Sequence, residues 1–161
     1  ELPKRKPTRL KEFDYSQKGY YFITICTKDR KRILSKIVGE GSPLPKLTLH
    51  GEIIQKYILS IPQKYPNVNF DKYVIMPNHI HLLIKLKPNG RSGAPAPTRA
   101  NARIPRYIST LKRFVNKQRK YDIWQRSYYD HIIRSEADFL EKQNYILSNP
   151  AKWVEDEYYS K

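Results

Sequence analysis

One alternating run, His79-Ile-His-Leu-Leu-Ile-Lys-Leu86, narrows what this chain can fold into more than any other stretch. Successive side chains of a β-strand point to opposite faces. Ile80, Leu82, Ile84 and Leu86 then define an apolar face, and His79, His81, Lys85 and Lys87 occupy the other. A preceding strand is expected over Val68 to Met76, and the Pro77-Asn78 turn between them predicts an antiparallel hairpin. Two imidazoles side by side, backed by cations, suit a divalent metal held against a phosphate. The same pair would also serve as plain polar residues on the open face of a sheet.

Composition points to the partner. Thirty-one Lys and Arg against fifteen Asp and Glu leave a formal charge of +16, which attracts polyanions. Thirteen tyrosines among those cations suit single-stranded nucleic acid, although such rings also fill the margins of small cores. Cys26 is the only cysteine, so neither an intrachain disulfide nor a cysteine-based zinc site can form. No apolar run is long enough to cross a membrane, and the basic stretch Glu1 to Lys11 lacks the apolar centre of a signal peptide. The expectation is a cytoplasmic, nucleoid-associated protein with a nucleic-acid partner and no membrane.

The 161 residues are expected to form a basic arm over residues 1–18 and one domain over residues 19–161. Pro3 and Pro7 argue against regular structure in the arm. Tyr20 to Thr27 is β-branched and aromatic and reads as a strand, which Lys28-Asp-Arg-Lys-Arg32 ends with charge. Ile53, Ile54, Tyr57 and Ile58 recur at helical spacing from Leu49 to about Ser60, with Pro62 closing the segment. A Gly- and Pro-rich loop, expected to be mobile, spans about 88–103. A helix over Ile104 to Lys117, a strand over Ser127 to Ile133 and a helix over Ala137 to Ser148 follow, the last stopped by Pro150. This order predicts an α+β fold: a ferredoxin-like antiparallel sheet with helices on one face, leaving the other face open around the histidines.

In the last helix Tyr145 and Asn149 are four residues apart and share a face. Beside a metal held by two histidines, a tyrosine can act as a nucleophile and an amide oxygen as a third ligand. The same residues also fit a core tyrosine and a helix terminator before proline. His131 reads as structural or as a support behind the site's ligands, Trp124 as a packing anchor, and His50 as an exposed residue at the start of a helix.

Four stretches together resemble the REP-associated tyrosine transposases, a branch of the single-tyrosine HUH transposases. They are Thr8 to Thr27, Val74-Ile-Met-Pro-Asn-His-Ile-His81, Trp124-Gln-Arg-Ser-Tyr-Tyr-Asp-His-Ile-Ile-Arg134 and Tyr145-Ile-Leu-Ser-Asn-Pro-Ala-Lys-Trp153. The resemblance implies that His79, His81 and Asn149 are metal ligands for Mg²⁺ or Mn²⁺, and that Tyr145 is the nucleophile. It implies cleavage and rejoining of single-stranded or hairpin DNA through a 5′-phosphotyrosine, by a monomer or a homodimer. Charge then nominates the arm residues Lys4, Arg5, Lys6, Arg9 and Lys11 for gripping DNA. Lys85, Lys87, Arg106, Lys112 and Arg113 are nominated for phosphate contacts, each equally readable as a solvated surface cation. A domesticated hairpin binder on the same fold stays open as an alternative. An RNA-recognition module lacks its Gly-aromatic-Gly-Phe strand here, and a metal-free phosphoesterase lacks its His-x-Thr/Ser strands.

Overall fold

The computed structural model describes residues 19–38, 45–88 and 103–155. The basic arm over residues 1–18, and all but the end residues of the loop over 88–103, lie outside the described residues. The elements are β1 (Gly19–Cys26), β2 (Ser35–Lys36), β3 (Lys46–Leu47), α1 (Leu49–Lys64), β4 (Val68–Ile75), β5 (His79–Leu86), α2 (Arg103–Arg119), β6 (Tyr129–Ile133) and α3 (Glu136–Ser148). The main sheet has the order β4-β5-β1-β6, with every pair antiparallel, and β2 and β3 form a small separate ladder. Strand β1 thus lies between the end of the β4–β5 hairpin and the last strand, which is the ferredoxin-like α+β arrangement expected.

Register follows from burial. Ile80, Leu82 and Ile84 are fully buried beneath α1 and α2, with Tyr21, Ile23 and Ile25 of β1 beside them. A one-residue slip of β5 would turn those isoleucines out and drive Lys85 into the core. Helices α1 and α2 close this face with Ile54, Ile58, Ile108 and Leu111.

The opposite face is not left open. Helix α3 lies on it, packing Ile146 with Phe22, Val74 and Leu83, and Trp153 joins the same cluster. The reason is in β5 itself: Leu83 shares the face of His79 and His81, and with Phe22 across the ladder it makes an apolar patch that needs a cover. The helices therefore divide, two on one face and one on the other.

Helix α1 also runs past Pro62 to Lys64 rather than closing there. In the last turn a proline forfeits only one hydrogen bond, and the Tyr65 N–H still reaches the Ile61 carbonyl at 2.8 Å. At the other end Thr48 caps the helix, its hydroxyl accepting from the Gly51 N–H at 3.3 Å. A Cβ on Gly51 would stand 2.2 Å from the Leu34 carbonyl oxygen, a backbone atom that cannot swing away. Gly→Ala inside a helix ordinarily stabilises by about 1 kcal/mol. Here the sign is expected to reverse, with Gly51→Ala costing about 1–3 kcal/mol as overpacking does, read from the urea midpoint.

Arg103, the first residue of α2, is buried and spans two strands' ends. Its Nη1 donates to the Lys87 carbonyl and its Nη2 to the Asn67 carbonyl, both at 2.7 Å.

Candidate functional site at the histidine pair

His79 and His81 open β5, opposite Cys26 and Thr24 of β1, and both are almost wholly buried. Alternation puts them on one face, and their Nε2 atoms are 3.1 Å apart. Each Nδ1 is held from behind. His79 Nδ1 lies 2.8 Å from the side-chain oxygen of Asn78, which can only accept, so in the neutral ring that nitrogen carries the proton and Nε2 the lone pair. His81 Nδ1 lies 2.8 Å from the Thr24 hydroxyl, which can accept or donate. Burial, and next the neighbouring His79, hold the His81 imidazole well below the usual histidine range. His81 is thereby held neutral, as ligation requires.

This geometry fits a shared ion. Two imidazole nitrogens each about 2.1 Å from one metal, at an angle between square and tetrahedral, lie about 3.0–3.4 Å apart. No third histidine, cysteine or carboxylate completes a cluster among the described residues. Any further protein donors among those residues would therefore be neutral ones, such as an amide oxygen.

Helix α3 brings the tyrosine. The Tyr145 ring centroid is 5.1 Å from that of His81 and 6.1 Å from that of Phe22, both in edge contact, and the side chain is only half buried. Asn149 occupies the C-terminal cap of the same helix, one turn beyond Tyr145, and is buried. Trp153 closes the far side, its ring 6.0 Å from His79, with the Arg32 guanidinium 5.5 Å above it. At the other end of α3, His131 Nε2 meets Asp138 at 2.7 Å and ties the helix to β6.

The cations nominated for DNA fall in different places. Lys85 shares the histidine face, its ammonium 5.4 Å over the Tyr20 ring, and Lys87 is exposed just past the end of β5. Arg106, Lys112 and Arg113 sit on α2, across the sheet from the histidines. Lys112 donates to the carbonyls of Gln125 and Ser127, at 2.9 and 3.2 Å. Lys4, Arg5, Lys6, Arg9 and Lys11 lie outside the described residues. His50 is buried, not exposed, because Arg119 and Tyr121 at the end of α2 fold over it, each 3.1 Å from its Nε2. Trp124 is a buried core residue.

Thr24 and Asn78, which orient the two imidazoles, were not singled out from sequence. Asn78 carries a signal there, being adjacent to His79. Thr24 carries none until the β1–β5 register is known.

Comparison with known proteins places these features in a context. A sequence profile described as "Transposase IS200 like" matches residues 15–149. An uncharacterized protein of Haemophilus influenzae is 32% identical, over 96% of this chain and 93% of that protein. A second protein of that organism, provisionally named a REP-associated tyrosine transposase, is 30% identical over 86% of this chain and 74% of its own length. A solved structure of a REP-associated tyrosine transposase bound to a REP hairpin superposes with a TM-score of 0.64. It is 20% identical and covers 90% of this chain and 74% of that one, which shows a shared fold. No helix among the described residues is long and apolar enough to cross a membrane.

Proposed function

Because the chain belongs to the IS200-like transposase family, in its REP-associated tyrosine branch, we propose that it cuts and rejoins single-stranded DNA beside hairpin elements. The observation that carries this reading is the pair of Nε2 atoms 3.1 Å apart with a tyrosine ring 5.1 Å from one of them, on a facing helix.

His79 and His81 would hold a divalent ion such as Mg²⁺ or Mn²⁺, with the Asn149 amide oxygen as a third donor. Bound there, the ion supplies charge neutralisation at the oxygens of the scissile phosphate. Tyr145 Oη forms a bond to that phosphorus and gives up its phenolic proton to water. The bond from phosphorus to the 3′ oxygen breaks, and that oxygen leaves as a hydroxyl after taking a proton. The product is a 5′-phosphotyrosine, whose bond energy allows a later 3′-hydroxyl to attack and rejoin the strand without a nucleotide triphosphate. The basic arm and the cations of β5 and α2 supply phosphate contacts that hold the hairpin in register.

The test is incubation with end-labelled hairpin DNAs and Mn²⁺, resolved on a denaturing protein gel. A shifted band removed by EDTA supports the reading; hairpin binding on a native gel without any such band, across a broad hairpin library, overturns it.

Thr24 gives a finer prediction. Thr24→Val keeps the shape and the β-branched side chain but removes the hydroxyl behind His81 Nδ1. Mn²⁺ affinity by calorimetry is expected to fall about 10–100-fold, the usual effect of losing a group that orients a ligand.

A further inference from the structure

In the sequence, Lys28-Asp-Arg-Lys-Arg32 merely ends the first strand with charge. In the structure all five residues are exposed, four of them cations. A solvated charge run has no fixed shape, and this one does. Asp29 and Arg30 are successive non-glycine residues in the left-handed region, with φ of 55° and 53°. The Thr27 hydroxyl reaches the Lys31 carbonyl at 2.8 Å and the Asn78 carbonyl at 3.1 Å. The backbone N–H groups of Lys28, Arg30 and Lys31 bond to the carbonyls of Ile123, Thr27 and Lys28. Those donors are engaged within the protein, so the loop offers side-chain charge outward rather than a backbone anion nest.

Two routes tie this loop to His79. The Asn78 Nδ2 donates to the Arg30 carbonyl at 3.4 Å, while its Oδ1 holds His79 Nδ1 at 2.8 Å. Arg32 stacks over Trp153, which itself lies against His79. A shaped cluster of cations is thus anchored at the rim of the histidine pair.

We infer that the Lys28–Arg32 loop grips the backbone phosphates of single-stranded DNA flanking the phosphate to be cut. The inference rests on the transposase reading and adds to it a binding element on the histidine side of the sheet. Unpaired strand is the partner that fits, because the phosphates of a flexible chain can follow the exposed cluster down to histidines that are almost wholly buried.

The double substitution Lys28→Gln and Lys31→Gln tests it, both residues being exposed. The full chain is titrated with oligothymidylate and with a blunt-ended hairpin over a range of salt. Losing two phosphate contacts should lower the slope of log affinity against log salt for oligothymidylate by about 1.4, at about 0.7 per contact on a single strand. The blunt hairpin should give the wild-type slope. Equal losses on both DNAs would mean a duplex grip and overturn the inference, as would no loss on either or a wild type that ignores oligothymidylate. The transposase reading fails separately: the expected slope change in the double variant, with a wild type that never forms the covalent adduct, would sink that reading and leave the grip standing.

Discussion

Tyr145→Phe is expected to abolish covalent attachment to DNA while leaving hairpin affinity within about twofold of wild type. The asymmetry follows from where the ring sits. Its contacts with His81 and Phe22 are made by carbon edges and survive in phenylalanine, so α3 should stay docked. Only the oxygen is lost, and no neighbouring group replaces a missing nucleophile. Losses of catalytic nucleophiles elsewhere run to the order of a millionfold in rate, far below what a labelled gel detects. A Tyr145→Phe protein that still forms the adduct would remove Tyr145 from the chemistry. A variant that neither attaches nor binds would show instead that the hydroxyl matters to the docking of α3 or of DNA.

The second large effect concerns the histidines and is read without any DNA. Mn²⁺ at about a hundred times its dissociation constant should stabilise the wild type by about 2.7 kcal/mol. For a protein of this size that corresponds to a rise in Tm of roughly 5–10 °C. His79→Ala and His81→Ala should each erase the rise, since one buried imidazole cannot chelate. Both variants should remain folded, because neither histidine belongs to the large apolar cluster under α1 and α2. An undiminished metal-induced shift in either variant would place the ion elsewhere, and with it the reading of the site.

Much of this architecture was legible because it is written in local periods. The alternation from His79 to Leu86 needs only the two-residue repeat of a strand, and the apolar stripe of α2 only the helical one. The position of α3 was not legible, since among its described residues only Ile146 is fully buried, while Leu140 and Leu147 face solvent. A helix with so little stripe does not announce which surface it covers. Leu83, on the same face as the histidines, was the overlooked hint that this surface would be covered.

The site divides along the same line. Two imidazoles on one face follow from spacing alone, whereas the Tyr145 ring beside His81 depends on how a distant helix docks. The hydroxyl behind His81 depends on a register between strands 57 residues apart. His50 misled for a related reason: the residues that bury it, Arg119 and Tyr121, are about seventy positions away along the chain.

Arg103 has a consequence for how the protein tolerates change. Its guanidinium holds the end of β5, through Lys87, and the approach to β4, through Asn67, to the first turn of α2. The two sides of the 89–102 interval are thereby pinned by a fork that does not pass through the interval itself. Closing a longer loop costs little, roughly 0.6 kcal/mol for each doubling, once its ends are held together. The interval is therefore a natural place for lineages to lengthen, shorten or replace sequence, or for an engineer to splice in a reporter, without disturbing the strand that carries the histidines.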